Sequence, residues 1–171
     1  KDEKETDWSN YDEAQINEIN DMLLLIRDAA EEASRRLGID EEVKSTGPGR
    51  PRINPTDLAK AILMQQYFSV SNRAAEGLAL LFKEKMRLKK AFSYKTIERA
   101  YEDPLVTLIL TMIFSLTQEP VRRREHIFAP DGTGLSTSMK QNYENDCRKK
   151  NRKMGYEKMI VMVGCAYKLF S

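Results

Sequence analysis

A chain of 171 residues is long enough to bury a core and holds one domain or two small ones. Apolar residues make up 41% of it, which excludes wholesale disorder, and its longest mainly apolar run, Leu105 to Leu116, is too short to span a bilayer and is interrupted by Thr107, Thr111 and Ser115. The net charge of +2 conceals a split: residues 1–46 carry 14 acidic against 6 basic side chains, a net of −8, and residues 47–171 carry a net of +10. An acidic leader before a basic body suggests a polyanionic partner for the body, with an ordinary solvated surface of uneven charge as the other reading.

The two cysteines sit in unlike settings, Cys147 among lysines and Cys165 in an apolar run. Neither has a CxxC partner, and the single histidine, His126, is too little to complete a zinc site. No basic-then-apolar leader opens the chain, and it starts at Lys1, which reads as a fragment or a trimmed chain. A reduced cytoplasmic setting with no membrane contact is the expectation.

The first predicted element is a long helix from about Tyr11 to Leu37, capped by Ser9 or Asn10 and ended by Gly38. Ile16, Ile19, Leu23, Ile26, Ala30, Ala33 and Leu37 alternate at spacings of three and four, which keeps one apolar stripe on a single face. A homodimer through this stripe is one reading. Packing against the chain's own later helices is the favoured one, because Ala30 and Ala33 make a weak zipper.

Residues 45–55 break the helix pattern with three prolines and two glycines and mark a domain boundary. Within them Gly49-Arg50-Pro51-Arg52 resembles the core of the AT-hook, whose arginines enter a narrow minor groove of concentrated negative potential. A linker with two exposed arginines is the alternative.

Next comes a compact helical unit. Asn54 caps and Pro55 opens a helix to about Phe68, with Leu58, Ile62 and Met64 to Phe68 as its apolar side. Ser71 caps a second helix from Arg73 to about Phe82. Lys83, Lys85, Arg87, Lys89 and Lys90 form a basic bridge, and Ser93 caps a third helix from Tyr94 to Asp103. Pro104 restarts a strongly apolar helix to Leu116 that should form the core. Short helices with tight turns, and a polar helix after a basic bridge, suit a helix-turn-helix-like unit, in which Lys95, Thr96 and Arg99 reach the groove while lysines hold phosphates. An ordinary helical bundle with a solvated face is the alternative.

After Pro120 the pattern changes. His126 to Asp131 reads as a short buried strand ending on a carboxylate, and Gly132-Thr133-Gly134 as a glycine-rich turn. A basic stretch holding Lys149, Lys150 and Arg152 follows, then apolar strand material from Met159 to Val163, so the two strands read as a long hairpin.

Taken in order, Gly49-Arg50-Pro51-Arg52, Ser71-Asn72-Arg73, Ser93-Tyr94-Lys95-Thr96, Phe128-Ala129-Pro130-Asp131-Gly132-Thr133-Gly134 and Gly155-Tyr156-Glu157-Lys158-Met159-Ile160-Val161 resemble the DDE transposases of bacterial and archaeal insertion sequences. The likeness covers roughly residues 47–171 and is one of order and pattern, with the strand-to-aspartate motif its most specific part. It implies an RNase H-like catalytic fold in which two aspartates and a glutamate bind divalent metal, Mg2+ or Mn2+, for in-line displacement at phosphodiesters. Asp131 takes the place of the first aspartate, both catalytic and metal-binding; a plain Asp-Gly turn is the alternative. The later acids, Glu144, Asp146 and Glu157, match neither of the other two positions, so this chain alone is expected to lack the metal pair, to hold no metal tightly and to be inactive.

The expected fold is therefore mainly α: an acidic amphipathic helix (1–46), a helical DNA-binding unit with a helix-turn-helix-like core (47–119), and a β-hairpin that begins an incomplete RNase H-like α/β domain (120–171). The expected partner is double-stranded DNA at transposon ends, touched by Arg50, Arg52, Lys95, Thr96, Arg99, Lys149, Lys150 and Arg152. A non-catalytic DNA-binding regulator and a helical interaction module are the rival readings.

Overall fold

Helix α1, Trp8–Leu37, starts one turn before the sequence places it, because Asp7 takes the capping role expected of Ser9 or Asn10 and accepts from the Asn10 backbone N–H at 3.2 Å. Gly38, in the left-handed region at φ 69°, ends it as expected. The computed structural model describes residues 7–39, 52–136, 156–167 and 169. The candidate contacts Arg50, Lys149, Lys150 and Arg152 lie outside the described residues, as do Cys147, Glu144 and Asp146. The chain divides into two compact units, Lys1–Leu116 and Thr117–Ser171.

In the first unit, α2 (Pro55–Phe68) is the central helix. It begins where Asn54 Oδ1 accepts from the Thr56 N–H at 2.8 Å, with Pro55 in the first turn. Leu58, Ala59, Ala61, Ile62 and Met64 are buried, and so are the polar Thr56, Asp57, Lys60 and Gln65, so no side of its first three turns is wet. The second half of α1 packs on it through Ala30, Ala33 and Ser34, whose small side chains allow close approach. Thr56 Oγ1 donates to Ser34 Oγ at 2.8 Å inside that contact. The stripe on α1 thus packs on the chain's own helices from Leu23 onward, while Ile16 and Ile19 stay exposed.

Ser71 caps α3 (Asn72–Leu81), which packs through the small residues Ala75 and Ala79. The bridge over 82–90 is a series of turns with Met86 and Leu88 buried. Helix α4, Tyr94–Ala100, is shorter than the sequence suggests and its capping differs. The Ser93 side chain makes no capping bond; Glu76, reaching over from α3, accepts from the Tyr94 N–H at 2.8 Å instead. Helix α5, Pro104–Gln118, starts where Asp103 Oδ1 accepts from the Leu105 N–H at 2.9 Å. The strongly apolar core helix expected here buries one face only, Val106, Ile109 and Ile113, and leaves Leu108 and Phe114 exposed. Thr107, Thr111 and Ser115 turn their hydroxyls back to carbonyls four residues earlier, which satisfies them on the wet side.

The second unit is built on an antiparallel pair, β1 (Phe128–Ser136) with β2 (Tyr156–Gly164), in register from Phe128↔Gly164 to Ser136↔Tyr156. The expected hairpin pairing is present, but the expected strand end is not. Asp131 stands opposite Val161 in the interior of β1, and Gly132, Thr133 and Gly134 continue the ladder against Ile160, Met159 and Lys158. Pairing with β2 gives these backbone groups partners that an Asp-Gly turn would leave to water. The strand is exposed rather than buried through Phe128 to Gly132.

Candidate functional site

Of the side chains that the sequence singles out on the third helix, Thr96 and Arg99 line one depression and Lys95 and Arg99 another. Lys95 and Arg99 are exposed on α4, and Thr96 is half-buried between them with its Oγ1 3.3 Å from Ser93 Oγ. Arg52, from the segment before α2, lies with Thr96, Arg99 and Asp103 around a cleft of ≈ 300 Å³ floored by Ile53, Leu58 and Ala100. A second depression, ≈ 360 Å³, is lined by Lys95, Glu98, Arg99 and Glu102. Arg99 is shared by both.

Two features of this surface escape sequence reasoning. Arg52 Nη2 donates to both oxygens of Asp103, at 2.7 and 2.9 Å, so the arginine assigned to a minor groove is held on the protein. Burial opposes the charge on Asp103, but the Arg52 guanidinium and the N–H groups of Leu105 and Val106 together hold its carboxyl below the ordinary value. The other feature is Arg73, at the start of α3, which sits 5.3 Å above the Tyr94 ring and steadies the opening of α4. No spacing rule links positions 52 and 103 or 73 and 94.

The basic bridge is partly engaged as well. Lys85 donates to Asn20 and Arg87 pairs with Glu31 at 3.1 Å, both on α1, while the Lys89 N–H binds buried Asp57 at 2.9 Å. Arg87 adopts a left-handed conformation at φ 52°, which turns the chain between these contacts.

In the second unit Asp131 is exposed, and its Oδ1 accepts from the Gly132 N–H at 2.8 Å. Among the described residues no group of three or more His, Cys, Asp or Glu side chains could hold a metal ion. One exposed carboxylate does not fit a site for two hard cations, so no chemical step is assigned to the described residues. Among the described residues of this unit the buried carboxylate is Glu125, which the sequence did not flag. It accepts from the N–H groups of Tyr167 at 2.9 Å and Ala166 at 3.1 Å. The Tyr167 bond leads in holding its carboxyl below the usual range against burial, helped by the Ala166 and Ile127 N–H groups and the nearby His126.

A small helical unit with Lys95 and Arg99 exposed on a short helix beside Glu98, joined in sequence to a β-hairpin, is thus the class of protein the geometry defines. Over 119 residues the chain is 33% identical to a probable transposase for insertion sequence element ISA1214 of Archaeoglobus fulgidus, a stretch that covers 66% of this chain and 34% of that relative. The chain spans about a third of the length of the curated relative it matches. No family model matches the chain, and no solved structure matches it. Among the described residues no single helix is long and apolar enough to cross a membrane.

Proposed function

We propose that this chain is the DNA-binding part of an insertion-sequence transposase, with α2, α3 and α4 as its helix-turn-helix-like unit. The likeness to a named transposase supports the class. The observation that carries the DNA reading is the placement of Lys95, Thr96 and Arg99 along one side of α4, with Arg52 across the cleft from Thr96 and Arg99. Lysine and arginine at such a surface neutralise phosphates and release counterions, and short polar side chains reach base edges. Double-stranded DNA carrying the element's ends is the ligand. Gel shifts of the whole chain across a salt series test this: binding that weakens steeply between 50 and 200 mM salt is the expected result. No shift at the lowest salt overturns it.

For a longer protein containing this chain, we propose that Asp131 is one of the carboxylates that hold Mg2+ or Mn2+, which would stabilise charge as DNA strands are cut and joined. The support is the resemblance around Phe128 to Gly134, together with an exposed carboxylate whose Oδ1 accepts from the Gly132 N–H. Asp131→Asn in that longer protein should abolish metal-dependent cleavage and leave DNA binding intact. Undiminished cleavage removes Asp131 from the site.

A further inference from the structure

The apolar stripe of α1 continues past the end of its packing. Leu23, Ile26, Ala30 and Ala33 are buried, but on the same side of the helix Trp8, Ile16 and Ile19 are 67%, 81% and 50% exposed. At 100° per residue, Trp8 and Ile19 lie within about 20° of Ile26 and Ile16 within about 20° of Leu23, so these side chains share one side of the helix, with Asp12 and Gln15 set between Trp8 and the isoleucines. The cause is length. The 30 residues of α1 extend about 45 Å and the 14 of α2 only about 21 Å, so the first half of α1 overruns its support. Tyr11 packs edge-on against Trp8, with ring centroids 5.9 Å apart, and widens the face.

The charge that this half of α1 itself carries is of one sign, with Lys85 of the bridge reaching it at Asn20. Between Asp7 and Ile26 there are five carboxylates (Asp7, Asp12, Glu13, Glu18 and Asp21) and no lysine or arginine. Asp12 falls within the stripe itself by the same angular reckoning. Large apolar side chains left exposed together on one side of a helix, set among carboxylates, mark an interaction site. We propose that the first half of α1 is a docking face for a basic amphipathic helix of a protein partner. Such a helix covers Trp8, Ile16 and Ile19 with its apolar side and sets lysines or arginines against the carboxylates. Charge disfavours the other occupants. A second copy of the same face brings Asp12 and its neighbours against like charges, and an anionic lipid surface or a nucleic acid is repelled. The proposal does not rest on the DNA-binding reading.

Trp8 is the chain's single tryptophan and reports directly on the face. The whole chain is titrated with a 14-residue amphipathic leucine–lysine peptide and with its leucine–glutamate counterpart, following tryptophan emission. The lysine peptide should give a saturable blue shift whose midpoint weakens about tenfold between 0.1 and 0.5 M salt, as screening of an exposed contact requires. The glutamate peptide should give none. Ile16→Asp, at an exposed position, should remove most of the shift while the far-ultraviolet circular dichroism stays unchanged. Equal responses to both peptides, no response to either, or a shift that ignores Ile16→Asp overturns the proposal. A blue shift that grows with protein concentration alone assigns the face to a second copy and overturns it too.

Discussion

Lys60 donates to Glu31 at 2.9 Å and to the Met86 carbonyl at 3.0 Å, with only 3% of its side chain exposed. This one ammonium joins α1, α2 and the bridge after α3, and Asp57 lies 3.9 Å away on its own helix. A buried cation is tolerated only where its hydrogens are satisfied, so Lys60 fixes how α1 lies on α2.

Lys60→Ala should therefore destabilise the helical unit by about 3 kcal/mol, the lower end for a broken buried ion pair. The lower end applies because Glu31 is partly exposed and keeps Arg87. Urea denaturation followed by circular dichroism measures it, and a loss within about 0.5 kcal/mol, typical of surface substitutions, would show that the contact has no structural role.

The Arg52–Asp103 pair predicts a pH dependence of definite sign. The carboxyl of Asp103 is depressed in the folded chain, so its contribution is complete above the unfolded value of about 3.9 and is lost as pH falls through the lower folded value. Arg52→Ala should cost about 0.2–1 kcal/mol at pH 7, since the Arg52 side chain is half exposed. That difference from the parent chain should shrink at the acid end of a urea series. A difference that grows instead would mean that Arg52 acts through packing.

DNA binding through α4 gives a quantitative expectation. Lys95→Ala and Arg99→Ala remove exposed cations and should leave stability within about 0.5 kcal/mol. Each should lower DNA affinity and reduce the slope of log affinity against log salt by about 1 if it holds a phosphate. Arg99, shared by both depressions, should show the larger loss. Unchanged slopes in both variants would move the interface off α4.

Much of this architecture is legible in the sequence because its signals are local. Asn54-Pro55 and Ser71 set helix starts, Gly38 sets an end, and α2 ends at about the residue the pattern gives. What escapes is contact between distant positions. Glu76 displaces Ser93 as the cap of α4, and Lys60 reads as a surface lysine until Glu31 and Met86 surround it. Asp131-Gly132 carries a turn signal, yet the opposing Val161 and Ile160 keep both residues in a strand, so tertiary pairing overrides local preference. The candidate surface divides in the same way: that Lys95, Thr96 and Arg99 share a short helix after the basic bridge is legible in the sequence, whereas Asp103 as the partner of Arg52 is not.

The hairpin unit offers a test of its own at Gly164. A Cβ there would stand 2.5 Å from Glu125 Oε2 and 2.8 Å from its Cδ and Cγ. Glu125 cannot swing aside without abandoning the N–H groups of Ala166 and Tyr167, which it caps beyond the end of β2. Gly164→Ala should destabilise the hairpin by about 1–3 kcal/mol, the range for forced overpacking. Glu125→Ala should weaken the turn by itself, and adding it to Gly164→Ala should cost less than the two single effects combined, because the clash is gone. The depressed carboxyl of Glu125 adds a pH signature: its contribution is present above the unfolded value of about 4.3 and fades as pH falls through the lower folded one. Hydrogen exchange of the Ala166 and Tyr167 amides in the whole chain reads both effects. Strict additivity of the two substitutions, or amide protection that does not change with acid, would show that Glu125 does not hold this turn.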